Sequence, residues 1–342
     1  MVRLRIPGGR VATATLVEIS ALAGRFGDPN VTITSRGSLQ LRGLPETLPG
    51  ELVTAIGDLG LVPSGAHDKA RNIVADPVAD LDDLVEALDA GLLADAALAG
   101  LPGRFLFALA RPGGPVLAEP WDIAIVDEGG SARVLVDDRA VLVPRAQVAV
   151  VALDAARRFL SARGDETTWN VRDLPTDERA GLLPGAIPFV VTAGPAPAPG
   201  PVDEDLLALV PLGLLTPAMA AALVASRIEH VLITPWRTIL APGGAAHRDD
   251  LAAAGFVTTP DSPWTVLTAC AGAPSCARTT TPTRRLALEA APHVDVDGPP
   301  VHVIGCERSC GHPAREHTIA LNPATAADIV AAQRSSRETK NS

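Results

Sequence analysis

All four cysteines of this 342-residue chain are confined to a stretch of 41 residues. Cys270 and Cys276 form a C-x5-C pair, and Cys306 and Cys310 form a C-x3-C pair. Both pairs lie in Gly- and Pro-rich loops, whereas cysteines used only for packing are usually found in apolar stretches. Four thiolates from two loops suit a [4Fe–4S] cluster. A structural zinc ion, or thiols and disulfides without metal, are the alternatives. The fold therefore has to bring the two loops to one place.

Composition excludes several classes of partner. Aromatic residues make up 3% of the chain, with no tyrosine, and the formal net charge is −10. Stacking platforms for single-stranded nucleic acid and a general phosphate-backbone surface are therefore not expected, and we predict no nucleic-acid partner. The hydrophobic content of 47% is typical of a globular protein.

No membrane attachment is predicted. The N-terminus lacks the apolar region of a signal peptide, and the long uncharged stretch Leu206–Ser226 is interrupted by Pro211, Gly213 and Pro217. Thr216 followed by Pro217 is typical of a helix start. We expect a loop and a buried helix there, and a cytoplasmic protein whose cysteines stay reduced.

The chain contains an internal repeat. Residues 31–40 match residues 231–240 at an offset of 200, and residues 105–125 match residues 301–321 at an offset of 196. At the second offset the cysteines fall opposite residues without thiols, namely Val74, Asp80, Ala110 and Gly114. We therefore predict two copies of one scaffold, with metal ligands in the second copy alone.

The cysteine pattern resembles that of the nitrite/sulfite reductase superfamily. With Cys-Gly-His-Pro at 310–313 and Thr-Pro-Trp-Arg at 234–237, the chain looks like the cobalamin-pathway branch, the precorrin-3B synthases. Reductases usually have Pro-Asn within the second cysteine pair, where this chain has Glu307 and Arg308. The resemblance implies a [4Fe–4S] cluster on the four cysteines and a second iron centre, either a mononuclear iron or, in a reductase, sirohaem. The implied reaction is hydroxylation of the tetrapyrrole precorrin-3A with O2 and an electron donor, with lactone formation.

The resemblance also implies a set of residues that bind the tetrapyrrole. The set comprises Arg36, Arg42, Arg71, Asn72, Arg104, Arg237 and Arg284. A guanidinium suits this role because it forms paired, charge-assisted hydrogen bonds to a carboxylate and keeps its charge. Leu106 stands where reductases keep a second lysine, which favours the hydroxylase over the reductase.

Some of these residues also have a structural interpretation. Arg36 and Arg42 could end a solvated strand, and Asn72 could cap a turn. His312, two residues after Cys310, is either an iron ligand with a catalytic role or a hydrogen-bond partner that orients its loop.

The same resemblance predicts an α+β fold with a pseudo-twofold axis. We expect ferredoxin-like half units at 1–48 and 204–258 and larger α/β units at 64–190 and 262–332, the last with the cluster. A Pro-rich linker at 191–203 and a disordered tail at 333–342 complete the chain. A sirohaem-dependent nitrite or sulfite reductase is the second candidate function, and a zinc-stabilised interaction module is the third.

Overall fold

The computed structural model describes residues 1–340, with side chains through Arg337, as an α+β fold. The first small unit contains β1 (Val2–Leu4), β2 (Arg10–Ala12), α1 (Thr13–Phe26), β3 (Val31–Ile33), β4 (Leu39–Leu41) and α2 (Gly50–Asp58). The first larger unit contains β5 (Ile73–Ala75), α3 (Asp82–Ala94), β6 (Phe107–Ala110), β7 (Ile123–Asp127), β8 (Ser131–Val136), β9 (Arg139–Pro144), α4 (Val148–Ala162), α5 (Thr176–Gly181) and β10 (Ile187–Pro188).

The second half repeats this order. Its small unit contains β11 (Gly200–Val202), β12 (Asp205–Leu209), β13 (Leu214–Leu215), α6 (Pro217–Ala225), β14 (His230–Ile233), β15 (Thr238–Ala241) and α7 (Arg248–Ala253). Its larger unit contains β16 (Leu267–Ala269), α8 (Thr283–Ala290), β17 (Val301–Ile304), β18 (Thr318–Leu321) and α9 (Ala326–Lys340). The predicted helix start at Thr216 is confirmed, since its hydroxyl accepts a hydrogen bond from the Met219 amide.

The two small units exchange a strand. One sheet has the order β1-β4-β3-β13, and its last strand comes from the second half. The other sheet has the order β11-β12-β15-β14-β2, and its last strand comes from the first half. Both exchanged strands are antiparallel to their neighbours, with Leu215 opposite Val31 and Val11 opposite Val231. The halves are therefore joined by backbone hydrogen bonds in both directions.

One hydrophobic core lies between these two sheets and helices α1 and α6. Leu4, Leu16 and Ile33 of the first half pack in the same buried cluster as Leu223 and Ile239 of the second. The alternation of apolar and polar residues along each strand places one face toward this core. The polar residues of β1 and β4 consequently point to the opposite face.

The larger units are built on parallel strands. In the first, β5, β6 and β7 are parallel and β8 to β10 continue the sheet antiparallel; in the second, β16, β17 and β18 are parallel. The carboxyl ends of parallel neighbours lie at the same edge of a sheet, which is where ligands commonly bind in α/β units. Cys270 follows β16 and Cys306 lies just beyond β17.

The pairing of the parallel strands corrects the predicted offset of 196 residues between the two larger units. The bonded strands begin at Ile73 and Phe107 in one unit and at Leu267 and Val301 in the other, which is an offset of 194 rather than 196. The counterpart of Cys270 is therefore Asp76: their amides donate to Val303 and Leu109, respectively, at 2.9 and 3.0 Å. A shift of two residues preserves the alternation of a strand, so the apolar pattern cannot detect it.

Two predicted boundary segments differ from the structure. The end of the Pro-rich segment 191–203 forms edge strand β11, in which Gly200 pairs with Leu207. Most of the predicted disordered tail 333–342 belongs to helix α9, because Ile329 and Val330 anchor the helix in the core and helical hydrogen bonds continue from there. The tail residues 341 and 342 lie outside the described part of the chain.

No helix within residues 1–340 combines the length and apolar character needed to cross a membrane. The uncharged stretch Leu206–Ser226 forms most of β12, then β13 and α6.

Candidate metal centre and ligand site

The four cysteines lie in two neighbouring loops of the second larger unit, after β16 and after β17. All four are free thiols; Cys310 is exposed and the other three are half-buried. The Cys270 Sγ lies 3.6 Å from the Thr283 hydroxyl, which donates to the Cys270 carbonyl at 2.8 Å. Gly272 is required beside it, since its φ is +59° and an added Cβ would lie 2.2 Å from the same hydroxyl. The loop is thus held against the start of α8.

Three of the cysteines interact electrostatically with one guanidinium, that of Arg42. Burial lowers the pKa of Arg42, and the charges of Cys276, Cys310 and Cys270 act in the opposite direction. Arg42 follows β4 in the first half, so this electrostatic interaction links the first small sheet to the cysteine loops.

The donor type of the two loops is that of a cluster site. Within the described residues, no group of three or more His, Cys, Asp or Glu side chains is arranged to hold one metal ion. A cluster presents four separate iron atoms, so each thiolate needs to reach only its own iron, and four cysteines are its common ligand set. The donor type and the placement of the cysteine loops at one sheet edge suit a [4Fe–4S] cluster. The described side chains provide no ligand set for a mononuclear iron.

A buried histidine fixes the second cysteine loop. His302 is inaccessible to solvent on β17; its Nδ1 lies 2.9 Å from the Thr268 hydroxyl, and its Nε2 lies 3.2 Å from the Cys310 carbonyl. Burial lowers the pKa of His302 to about 3, so the ring is neutral. Because a carbonyl only accepts, we assign the proton to Nε2 and let the Thr268 hydroxyl donate to Nδ1.

His312 lies on the same loop but points elsewhere. It is exposed, its Nδ1 lies 3.1 Å from the Pro313 carbonyl, and its ring stacks on His317 with centroids 5.5 Å apart. Its predicted role as an iron ligand stays a prediction.

Arginines line the face of the first small sheet that points away from the core. Arg3 on β1 pairs with Gln40 on β4, and Gln40 pairs with Thr32 on β3. The Arg42 guanidinium donates to the Gln40 side chain at 2.7 Å, and Arg284 of α8 donates to the Thr32 hydroxyl at 3.1 Å. This face is therefore turned toward the unit that carries the cysteines.

Arg36 and Arg237 lie in matching turns. Thr34 and Thr234 each donate a backbone hydrogen bond to the residue four positions on, Ser38 and Thr238, at 2.9 and 3.0 Å. Each threonine hydroxyl also accepts from that residue's amide. The offset of 200 is thus confirmed for these turns. Arg237 takes the left-handed place of Gly37, with φ values of +60° and +61°, and donates to the Gly311 carbonyl beside Cys310.

These side chains form what we call the arginine belt: Arg3, Arg5, Arg36, Arg42, Arg237 and Arg284. Within the described residues, none of them forms an ion pair with a carboxylate inside 4.0 Å. All but Arg237 have a buried Nε without a hydrogen-bond partner, and in Arg5, which is 4% exposed, Nη1 is also unpartnered.

Burial is the main cause that lowers the pKa of every guanidinium in the arginine belt. The pKa values of Arg5, Arg237 and Arg284 fall to about 10. Burying a charge without an ion-pair partner is costly. A group of such cations therefore indicates a site for an anionic ligand.

Carboxylates act on these cations from beyond 4.0 Å, namely Asp28, Asp68, Asp122 and Glu119. Glu119 is 8% exposed, and its Oε1 accepts a hydrogen bond of 2.9 Å from the indole of Trp236. Burial raises the pKa of Glu119 to about 7, although the Trp236 bond and the charges of Arg36 and Arg237 act in the opposite direction. No sequence motif indicates that Glu119 belongs to the site.

Arg3 and Arg5, by contrast, could have been found in the sequence, because the alternation Val2-Arg3-Leu4-Arg5 is typical of a strand with both arginines on one face.

The structure does not bring three predicted residues into the arginine belt. Arg71 is 6% exposed, and its guanidinium binds both carboxylate oxygens of Asp89 at 2.8 and 2.7 Å. The Asn72 amide donates to two backbone carbonyls, which is the turn-fixing role. Arg104 is exposed and lies over the Trp169 ring, although its charge acts on Arg36. We therefore leave Arg71 and Asn72 out of the proposed ligand contacts.

The sequence of this chain is similar to those of several known proteins. The model of the nitrite/sulfite reductase ferredoxin-like half domain matches residues 1–56. A precorrin-3B synthase of Sinorhizobium sp is 28% identical over 352 aligned positions, which cover 92% of this chain and 75% of the relative. A ferredoxin–nitrite reductase of Synechococcus elongatus is 38% identical over 127 residues, which cover 32% of this chain and only 24% of that enzyme.

A solved structure shows the same fold. The Mycobacterium tuberculosis NirA protein matches with a TM-score of 0.68 at 18% identity, over 91% of this chain and 68% of its own. The overall fold is thus shared at low sequence identity. These comparisons support a relationship to the nitrite/sulfite reductase superfamily, and the relative that matches 92% of the chain is a precorrin-3B synthase.

Proposed function

We propose that this chain is an iron–sulfur oxidoreductase that binds a polycarboxylated tetrapyrrole in the arginine belt and hydroxylates it with O2. The proposed reaction is that of a precorrin-3B synthase, in which precorrin-3A gains a hydroxyl group and closes a lactone. The observation that carries the proposal is the set of buried and half-buried arginines that form no ion pair with a carboxylate inside 4.0 Å in the described residues. Arg237 bonds the loop of Cys310, and Arg42 interacts electrostatically with three cysteines. The similarity over 92% of the chain to a precorrin-3B synthase supports it.

The residues have separate roles in this proposal. The residues that hold ligand carboxylates are the buried Arg5 and Arg237 and the half-buried Arg3, Arg36 and Arg42. No protein carboxylate forms an ion pair with them inside 4.0 Å in the described residues. Arg237 also bonds the loop of Cys310, so it links ligand binding to the cysteine side.

Cys270, Cys276, Cys306 and Cys310 would hold the cluster, and His302 and Thr283 would fix their loops. When bound, the cluster supplies single electrons. Four unpaired thiols suit a reducing, cytoplasmic setting.

The reaction needs partners from outside the chain. One oxygen atom of O2 enters the substrate and the other leaves as water, so a donor must supply two electrons and two protons. We derive no step through a mononuclear iron, because the described side chains do not provide its ligands.

Metal content is the first test. Protein purified without oxygen is expected to contain iron and acid-labile sulfide, and Cys306→Ser should lose both. Ser275→Ala, in the neighbouring loop, is the matched control and should keep them. Stoichiometric zinc without sulfide would refute the cluster.

Turnover is the second test. We expect precorrin-3A to be hydroxylated only with both O2 and an electron donor, and nitrite and sulfite to be reduced little. Leu106, at the position where reductases keep a second lysine, is buried in an apolar cluster and provides no cation for a sirohaem carboxylate. Bound sirohaem with reduction of either anion, and no action on precorrin-3A, would favour the reductase instead.

A further inference from the structure

We propose that Glu119 is the proton-exchanging residue of the arginine belt: it is the internal counter-charge of Arg36 and Arg237, and it takes up a proton when a ligand carboxylate replaces it. This inference rests on the proposed function, in so far as the belt binds carboxylates.

The position of Glu119 is the first step of the argument. It follows a short turn, Pro115–Ala118, after β6 of the first larger unit. Its hydrogen bond to the Trp236 indole crosses to the turn of the second small unit that carries Arg237. The carboxylate thus lies where the first larger unit meets the arginine belt, and it is almost fully buried.

The charges around it are the second step. The cations that favour its ionised form are Arg36, on the turn between β3 and β4, and Arg237, on the turn between β14 and β15. Two further cations, Arg104 and Arg172, and one buried acid, Asp122, act electrostatically on Arg36. Neither Arg36 nor Arg237 approaches the carboxylate within 4.0 Å in the described residues, so the attraction only partly offsets the loss of hydration. Glu119 consequently has a pKa of about 7 and exists in both forms at neutral pH.

Ligand binding must change this balance. A carboxylate bound by Arg36 and Arg237 neutralises the cations that favour ionised Glu119 and adds a like charge nearby. Both effects raise the pKa of Glu119, so binding is accompanied by proton uptake. By linkage, the affinity for an anionic ligand falls as the pH rises above the pKa of the free protein. A glutamine at this position keeps the size and the acceptor oxygen but cannot exchange a proton.

The test uses uroporphyrin I, a stable octacarboxylate tetrapyrrole, as the probe. Its dissociation constant is measured on the full chain by fluorescence titration between pH 6.5 and pH 8.5, where its carboxylates stay ionised. We expect the wild-type constant to rise about tenfold across this range and that of Glu119→Gln to stay nearly constant. Glu128→Gln, an exposed carboxylate of the same unit, is the control and should behave as wild type.

Two further measurements keep the proposal open to refutation if Glu119→Gln folds poorly. Calorimetry of the wild type at pH 7, in buffers of different ionisation enthalpy, should show proton uptake on binding. Trp236→Phe removes the hydrogen bond that favours the ionised carboxylate, so it should move the midpoint of the pH dependence upward.

The outcomes separate the two proposals. If uroporphyrin I does not bind, or if Arg36→Gln and Arg237→Gln leave its affinity unchanged, the carboxylate-binding function itself is wrong. If it binds through these arginines, but the pH slope persists in Glu119→Gln or no proton is taken up, only the role of Glu119 is overturned.

Discussion

In the proposed function, single arginines of the arginine belt lower the stability of the ligand-free protein and strengthen the binding of an anionic ligand. Arg5 is 4% exposed, two of its nitrogens have no partner, and burial lowers its pKa to about 10. A buried cation without a counter-ion destabilises the ligand-free protein and becomes favourable only when an anion arrives. Stability and affinity should therefore respond in opposite directions to its removal.

We predict that Arg5→Met raises the free energy of unfolding of the ligand-free protein by about 1 kcal/mol. The same change should weaken uroporphyrin I binding about tenfold or more, since a charge-assisted pair contributes about 1.5–3 kcal/mol. Urea denaturation and fluorescence titration measure the two effects. Arg25→Met, an exposed arginine paired with Glu51, is the control and should change neither much. A loss of both stability and affinity would mean that Arg5 is a structural residue.

Glu119 gives a second prediction, this one independent of any ligand. Its pKa is about 7 in the folded protein and near 4.5 when unfolded, so the folded state holds the proton more tightly. The ionised side chain therefore costs stability, and this cost grows as the pH rises from about 4.5 to 7. Glu119→Gln should be more stable than wild type at pH 8 by on the order of 1–2 kcal/mol, and the difference should shrink at pH 5. Equal stabilities at both pH values in urea denaturation would contradict the assigned burial.

At the scale of elements, Asp122 holds the first larger unit together. Its carboxylate accepts from the amides of Leu106 and Val171, at 2.8 and 2.6 Å, and from the Asn170 side chain at 3.0 Å. It thereby joins the segment before β6 to the capped turn Val171–Asp173. Every contact is an N–H donor, so only an acceptor satisfies the site.

Asp122→Asn should accordingly destabilise the protein by about 1–3 kcal/mol, because the new amide group would face a backbone donor. Thermal and urea unfolding provide the measurement. Asp138→Asn, an exposed acid in the turn between β8 and β9, is the matched control and should be neutral. An unchanged stability for Asp122→Asn would show that the network is dispensable.

The elements differ in how far the sequence predicts them. Thr216 and Pro217 specify a helix start through local chemistry, and the structure confirms it. Strands β2 and β13 have three and two residues, so no periodicity marks them and their partners are chosen by the tertiary fold. Asp76 was missed as the counterpart of Cys270 because a two-residue shift leaves a strand pattern unchanged.

The site was predictable in part for the same reasons. Loop cysteines stand out because free thiols in such loops serve little packing purpose. Arg3 and Arg5, on and just after β1, were missed because alternating charged residues normally indicate a solvent-exposed face. Burial of that face depends on the cysteine unit, which contacts it from more than 200 residues away through Arg284. Glu119 likewise depends on tertiary neighbours.

The whole molecule uses its two similar halves differently. The row Arg3, Gln40 and Thr32 on the first sheet corresponds to the leucine row Leu207, Leu240 and Leu232 on the second. The leucines form a small buried cluster, whereas the first row is polar and faces the cysteine unit. In the first larger unit Asp76 replaces the cysteine, and its carboxylate accepts from the Val116 amide at 3.1 Å. Duplication supplied two scaffolds, and each contributes one component of the site.

Because the halves exchange strands and share the core of the small units, we predict that neither small unit folds in a separate half. Residues 1–196 lack β13 and the second half of this core around Leu223, and residues 197–342 lack β2. Expressed separately, both fragments should leave the amides of β4 and β14 open to hydrogen exchange; expressed together, they should form a complex in which these amides are protected. The control is an intact chain with a protease site between Ala196 and Pro197, which should remain folded and associated after cleavage. Protection of these amides in a separate fragment would show that strand exchange is dispensable for folding of the small unit.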